Sequence, residues 1–175
     1  MRIGMMGMGK LGLPCALASE AAGHEVVGYD PNPAVAGYIR DRKIPYREEG
    51  TPELLVHSKI RVVSVNEMVA HSDLIFVAVQ TPHNPKFEGV TRIPEERVDF
   101  DHSYLIDACK QLNEAIEAQG VDKPVVVIST VLQEPWTPRS FRCLVHTSNS
   151  VTTHSSLRWA RRYMTSPIQS LCCLE

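Results

Sequence analysis

Residues 1–30, MRIGMMGMGKLGLPCALASEAAGHEVVGYD, decide the fold of this chain. Arg2–Met6 is a short apolar stretch typical of a buried strand, and the glycine-rich segment GMGKLG follows it at 7–12. The spacing predicts a helix over Leu13–Ala22 and a second strand over Glu25–Tyr29, which leads into an aspartate. This order is the G-x-G-x-x-G fingerprint of dinucleotide binding, in which a strand, the glycines, a helix and a second strand are followed by an acid about 20 residues after the glycines.

Each position of this fingerprint has a physical reason. Gly7 permits the tight turn out of the strand, Gly9 lets a pyrophosphate approach the backbone, and Gly12 lets the helix pack closely on the strand. The helix N-terminus offers N–H groups and the positive end of its dipole to the phosphates. Asp30 is placed to accept hydrogen bonds from the adenosine ribose. Its carboxylate repels a 2′-phosphate and no arginine follows at once, so NAD is favoured over NADP.

Composition narrows the class of protein. The chain has 175 residues, of which 43% are hydrophobic and 22% charged, values typical of one globular domain. A net charge of −2 does not favour nucleic acid or an anionic membrane as partner. The N-terminus is not typical of a signal peptide, and no apolar run is long enough to span a membrane. The five cysteines contain no C-x-x-C pair, which indicates a reduced, cytoplasmic protein. The histidines lack ligand spacing, so we expect no metal site.

The rest of the chain alternates strand and helix patterns. The runs 73–79 (DLIFVAV) and 124–128 (PVVVI) are typical of strands buried in a parallel sheet, and 60–63 predicts a shorter strand. We expect Thr51 to cap a helix that starts at Pro52, and Ser64 to cap a helix that ends at His71. We expect Asp101 to cap a long helix that ends at Gly120. A long surface loop should connect the 73–79 strand to that long helix. The buried face of the long helix is expected to comprise Leu105, Ala108, Cys109, Leu112, Ala115 and Ile116.

This alternation over about 130 residues predicts an α/β fold with a doubly wound, Rossmann-like parallel sheet. Ligands of such sheets bind outside the carboxyl ends of the strands. Four parts of the sequence fall there: the glycine-rich loop, Asp30, Thr81 and Thr130.

The motifs GMGKLGLP, VGYD, VAVQTP and ISTV together resemble the N-terminal domain of the UDP-glucose/GDP-mannose dehydrogenases, over about residues 1–132. Glu49 and Gly50 resemble the family's Glu-Pro-Gly segment, without its proline. The resemblance implies a two-step, NAD-dependent oxidation of the C6 alcohol of a nucleotide sugar to a carboxylate, by an enzyme that forms a homo-oligomer.

Carried onto this sequence, the resemblance implies that the glycine-rich loop holds the pyrophosphate and Asp30 the ribose. Thr81 is implied to lie against the cofactor. Thr130 is implied to lie near the nicotinamide and the reacting carbon, where its hydroxyl can help to orient water. The loop residues concerned are Gly7, Gly9, Lys10, Leu11 and Gly12. The family's cysteine nucleophile and its lysine, asparagine and aspartate partners match no position here, so we expect this truncated chain alone to be inactive.

The segment 133–175 does not fit this pattern. It has no glycine, lysine or aspartate, and five arginines against two glutamates give it a net charge of +3. The family continues with Pro-Gly-Thr after STVL, whereas this chain has Gln133-Glu134-Pro135. Synonymous codons can be chosen so that a one-base shift restores Gly-Thr and a later family-like segment. We therefore predict an NAD-binding domain over 1–132 and an irregular tail over 133–175 that is out of frame and disordered; a genuine basic tail is the alternative.

Two other functions stay open at this point. One is a β-hydroxyacid dehydrogenase of the 6-phosphogluconate type. Tighter binding of NADP than of NAD would favour this function. The other is a non-enzymatic module that senses a dinucleotide or binds a partner. An ordered tail with an apolar face would favour this function.

Overall fold

Five parallel strands form one sheet in the computed structural model, which describes residues 1–82 and 101–129 of the chain. The order of the strands is β3-β2-β1-β4-β5. They are β1 (Arg2–Met6), β2 (Glu25–Tyr29), β3 (Arg61–Val62), β4 (Leu74–Val77) and β5 (Val125–Val127). The helices are α1 (Gly12–Ala21), α2 (Pro33–Arg40), α3 (Thr51–His57), α4 (Val65–His71) and α5 (Ser103–Gln119).

The core lies on both faces of the sheet because side chains alternate along each strand. Ile3 and Met5 of β1 belong to one buried cluster, with Leu13 and Leu17 of α1. Met6 belongs to a second buried cluster on the opposite side of the sheet, to which α4 and α5 contribute Met68, Val69, Leu105, Leu112 and Ile116. Helices therefore cover both faces, and the predicted doubly wound α/β fold is confirmed.

Helix α5 agrees with its sequence pattern. All six residues expected on its buried face are buried. The N-cap of the helix is His102 and not Asp101 as predicted, although the Asp101 carboxylate accepts a hydrogen bond at 2.9 Å from the N–H of Ser103, the first helical residue. The helix ends at Gly120, whose φ of +61° lies in the left-handed region that glycine adopts without penalty.

The start of α3 differs from the expectation. The prediction that Thr51 caps this helix is wrong, because Gly50 is the N-cap and Thr51 is the first helical residue. Gly50 has a φ of +77°, a conformation that turns the chain into the helix one residue early. The Thr51 side chain is then only 2% exposed and packs inside.

Helix α4 begins as predicted at the Ser64 cap, which forms half of a capping box, the motif in which a Ser and a Glu side chain each bond the other's backbone N–H. Ser64 Oγ accepts a hydrogen bond from the Glu67 N–H at 3.2 Å. The Glu67 carboxylate instead lies 3.2 Å from an Arg61 guanidinium nitrogen and so pairs with β3. Strands β3 and β4 are also shorter than the runs 60–63 and 73–79 predicted.

Three predictions fall on residues outside the described ranges. These are the long surface loop, the position of Thr130 and the irregular tail. The loop prediction concerns 83–100, and the tail prediction concerns 133–175.

An ion pair joins the start of β1 to the residue before β4. The Arg2 guanidinium and the Arg2 N–H donate to the Asp73 carboxylate and lower its pKa from 3.8 to about 2. A carboxyl group with a lowered folded pKa stabilises the fold above its unfolded pKa, and loses that contribution as the pH falls through the folded value.

We expect Asp73→Asn to lower the free energy of unfolding at pH 7 by less than about 1 kcal/mol, since water screens this exposed pair. The difference between variant and parent should shrink as the pH falls from 3.8 to about 2. Urea unfolding at several pH values measures it. Asp107→Asn is the control, since the Asp107 carboxylate lies 4.0 Å from Lys110 Nζ in a looser pair on α5. A difference that does not depend on pH would contradict this role of Asp73.

Candidate functional site

The carboxyl ends of the strands lie at one edge of the sheet because all strands are parallel. Gly7 follows β1, and its N–H donates to the Tyr29 carbonyl of β2 at 2.8 Å. Ala78 follows β4, and its N–H donates to the Met6 carbonyl of β1 at 2.7 Å. The strand order reverses between β1 and β4, and in open α/β sheets the ligand crevice lies at such a switch point.

Two of the three glycines sit where no side chain fits. Gly7 has a φ of +94°, and a Cβ there would lie 2.7 Å from the Ala78 carbonyl oxygen. A Cβ at Gly12 would overlap the Gly7 carbonyl oxygen, which is rigid backbone. These two residues therefore let the loop turn sharply and let α1 begin directly against it.

The remaining glycine of the fingerprint, Gly9, is open to its surroundings. A Cβ at Gly9 would meet no heavy atom within 4 Å among the described residues. The neighbouring Met8 points the other way, is 1% exposed and packs over Gly28 of β2. The loop therefore presents bare backbone outward at Gly9 and anchors itself inward at Met8.

The N-terminus of α1 lies next to this open backbone. Leu11 is its N-cap, and its side chain makes no hydrogen bond to the helix. A serine or threonine cap would accept one from a backbone N–H of the first turn. The first N–H groups of a helix carry the positive end of its dipole, and in α1 one of them, the Leu13 N–H, already donates to the Gly9 carbonyl. Lys10 is exposed beside them and adds a positive charge. This end of α1 is suited to an anionic group.

Asp30 has a role that the sequence did not reveal. Its Oδ2 accepts a hydrogen bond from the Met8 N–H at 2.8 Å, and its Oδ1 accepts one from the Asn32 N–H at 2.8 Å. Asn32 in turn caps α2, accepting a hydrogen bond from the Ala34 N–H at 3.0 Å. The half-buried carboxylate thus ties the glycine-rich loop to the turn after β2. A carboxylate has about four lone-pair sites, so it keeps acceptor capacity for ribose hydroxyls.

We expect Asp30→Ala to weaken NAD binding by about 10- to 100-fold, the effect of losing hydrogen bonds to a charged acceptor. NADP binding should fall less, because the same change removes the repulsion of the 2′-phosphate. Calorimetric titration with both dinucleotides measures the effect. Asp41→Ala is the control, since that exposed carboxylate pairs with Arg40. An equal loss for both dinucleotides would contradict a role of Asp30 toward the ribose.

The two threonines predicted at the strand ends have different outcomes. Thr81 lies half-buried a few residues after β4, at the edge of the sheet that holds the glycine-rich loop. Thr130 lies just beyond the described residues, so its placement stays a prediction. Its neighbour Ser129 is 8% exposed, and Ser129 Oγ donates to the Val79 carbonyl at 2.7 Å. Ser129 therefore joins the ends of β4 and β5, a role without any sequence signal beyond its position after an apolar run.

Comparison with known proteins decides the family. The family model described as the NAD binding domain of the UDP-glucose/GDP-mannose dehydrogenase family matches residues 1–157. The chain belongs to the UDP-glucose/GDP-mannose dehydrogenase family. The resemblance in the sequence motifs is thereby confirmed, as is NAD as the cofactor of the domain. The match continues past residue 132, and the division of the chain at that point stays a prediction.

Individual relatives agree with this assignment. The chain is 34% identical over 137 residues to a GDP-mannose 6-dehydrogenase of Azotobacter vinelandii, covering 75% of this chain and 29% of the relative. The crystal structure of a ternary complex of GDP-mannose dehydrogenase from Pseudomonas aeruginosa superposes with a TM-score of 0.67 at 29% identity, covering 82% of this chain and 33% of that one. A UDP-glucose dehydrogenase of Pyrobaculum islandicum gives a TM-score of 0.67 at 28% identity, with coverage of 86% and 34%.

The chain therefore spans about a third of the length of these relatives. It is similar to their NAD-binding part, so what those enzymes act on is not carried over by similarity alone. No helix in residues 1–82 or 101–129 is long and apolar enough to cross a bilayer.

Proposed function

We propose that this domain binds the NAD used to oxidise the CH–OH group of a nucleotide sugar to a carboxylate. The observation that carries the proposal is the open backbone at Gly9, between two glycines that the fold itself requires. Gly7 and Gly12 have structural reasons to be glycine, whereas no described atom prevents a side chain at Gly9. A ligand that needs close approach to the backbone accounts for the glycine at position 9.

The proposed site fits the chemical parts of NAD. The pyrophosphate lies over Gly9 at the N-terminus of α1, where Lys10 and the helix dipole offset its charge. The ribose of the adenosine lies against Asp30. Bound NAD accepts the hydride from the sugar alcohol. The proposed binding residues are Gly7, Gly9, Lys10, Leu11, Gly12, Asp30, Thr81 and Thr130.

Thr130 is proposed to act at the nicotinamide end. It follows β5, and Ser129 holds that strand end against β4 beside the switch point. A hydroxyl at this place can orient water near the reacting carbon. The cysteine and its partners, which would hold the aldehyde as a thiohemiacetal for the second oxidation by NAD, match no position of this chain, so we expect the chain by itself to bind NAD without turnover.

The sugar substrate is proposed to be a nucleoside-diphosphate sugar. The names of the relatives support this class, since they include GDP-mannose and UDP-N-acetyl-D-mannosamine dehydrogenases. We further propose a cytoplasmic homo-oligomer that binds neither nucleic acid nor membrane, which agrees with a net charge of −2 and cysteines without C-x-x-C spacing.

Three measurements test the proposal. Calorimetric titration of this chain should show NAD binding, and Gly9→Val should remove it. The coding DNA should be sequenced from Ser129 onward, where we expect a one-base slip that reopens a dehydrogenase frame. The product of that frame should form two NADH per sugar, read at 340 nm, with either GDP-mannose or UDP-glucose. An unreactive product of the reopened frame would overturn the proposed reaction, and absence of NAD binding would overturn the site.

A further inference from the structure

The connection between α2 and α3, residues 41–50, reaches the glycine-rich loop. Tyr46 lies on this connection, and its hydroxyl donates a hydrogen bond to the Gly9 carbonyl oxygen at 3.4 Å. The two residues are 37 positions apart in the chain. Tyr46 is half-buried, whereas its neighbours Pro45 and Arg47 are exposed. This contact is made at the one fingerprint glycine whose surroundings are open.

The Gly9 carbonyl is held from two directions. The Leu13 N–H of α1 donates to it at 3.0 Å, in addition to the Tyr46 hydroxyl. The described residues contain no cis peptide bond, so the C=O of Gly9 and the N–H of Lys10 point to opposite sides of one rigid plane. Fixing the carbonyl toward Tyr46 and Leu13 therefore turns the Lys10 N–H away from them, in a loop in which Gly9 and Lys10 are both exposed.

Glycine makes such an anchor necessary. A residue without Cβ has more backbone conformations than any other, and the peptide plane that follows Gly9 can rotate unless something holds it. Tyr46 is suited to this because it stays a neutral donor. Burial, with a smaller contribution from the Glu48 carboxylate, raises the pKa of the Tyr46 hydroxyl above 10.0.

We propose that Tyr46 is a positioning residue for the cofactor, whose hydroxyl orients the Gly9–Lys10 peptide so that the Lys10 N–H donates to the pyrophosphate. The inference rests on the proposed site at the glycine-rich loop. It assigns to the α2–α3 connection a part in cofactor binding that the fingerprint itself does not contain. Tyr46 acts through the peptide plane and does not itself contact the phosphate.

The test compares Tyr46→Phe with the parent chain. Loss of one neutral hydrogen bond should weaken NAD and ADP binding by the same factor, about 3- to 10-fold, and leave adenosine binding unchanged. Calorimetric titration measures the three ligands. In ¹⁵N–¹H spectra of the free protein, the Lys10 amide signal should shift in the variant. Tyr38→Phe is the matched control, since Tyr38 is a half-buried tyrosine of α2 that packs against the buried cluster containing Ile3 and Leu13.

The outcomes separate this inference from the proposed site. If the parent chain binds neither NAD nor ADP, the site itself is overturned. If the parent chain binds both and Tyr46→Phe binds them equally well, Tyr46 has no positioning role, even if the variant melts at a lower temperature. If adenosine binding falls by the same factor as ADP binding, Tyr46 supports the nucleoside and the inference about the peptide plane is overturned.

Discussion

Gly9→Val should abolish NAD binding while the domain stays folded. Gly9 has no positive φ, so a valine meets no penalty from the left-handed region. A Cβ at this position has no described heavy atom within 4 Å, so the fold has room for the side chain. That same room is where we place the pyrophosphate. The two methyl groups and the phosphates therefore compete for one volume.

We expect the dissociation constant for NAD to rise by at least about 100-fold, which corresponds to a loss of about 2.7 kcal/mol of binding free energy. Calorimetric titration measures the affinity, and thermal unfolding verifies the fold. Gly37→Val is the control, because Gly37 lies on α2 with only the mobile end of Arg40 within 4 Å of a new Cβ. Retained NAD affinity in Gly9→Val would remove the glycine-rich loop from the site.

Elements whose burial follows a period were predictable from the sequence. The buried face of α5 was found residue by residue because a 3.6-residue repeat leaves Leu105, Cys109 and Leu112 on one side. The bounds of β1 and β2 were found because a short apolar strand next to the glycines has few alternatives. Gly120 ends α5 as expected, since a left-handed residue after a helix is most often glycine.

Contacts between loops were not predictable in this way. The Asp30 carboxylate binds a backbone N–H 22 residues away, and the Tyr46 hydroxyl binds a carbonyl 37 residues away. Neither contact produces a periodic sequence pattern, because each joins the loop after β1 to another connection, the turn after β2 for Asp30 and the α2–α3 connection for Tyr46. The cap of α3 was missed for a related reason. Threonine is a good capping residue in general, and the positive φ of Gly50 that displaces it is a property of the folded chain.

For the site residues too, part of the information comes from the sequence pattern and part only from the structure. The glycines follow from a motif with a fixed spacing, so the sequence places Gly7, Gly9 and Gly12 at one strand end. The role of each glycine, however, is visible only in the structure. The surroundings of Gly7 and Gly12 are crowded, and those of Gly9 are open. This difference predicts that one substitution affects binding and another affects stability, although the motif treats the positions alike.

Gly12→Ala should destabilise the whole domain. The new Cβ would overlap the Gly7 carbonyl oxygen and lie 3.3 Å from the Ala78 Cβ. Neither neighbour is the flexible end of a side chain, so α1 must move away from the ends of β1 and β4. Overpacking of this kind costs typically 1–3 kcal/mol, and we expect a loss of about 3 kcal/mol of unfolding free energy because the clash is with backbone. Urea unfolding measures it.

Gly37→Ala is the matched comparison for Gly12→Ala. Both substitutions add one methyl group to a helical glycine, but at Gly37 there is room for it. Alanine has a higher helix propensity than glycine, so Gly37→Ala should stabilise the domain by about 0.5–1 kcal/mol. The two variants should therefore shift the urea midpoint in opposite directions. If Gly12→Ala unfolds at the parent midpoint, α1 does not need its close approach to the loop, and the packing reason for the third fingerprint glycine is wrong.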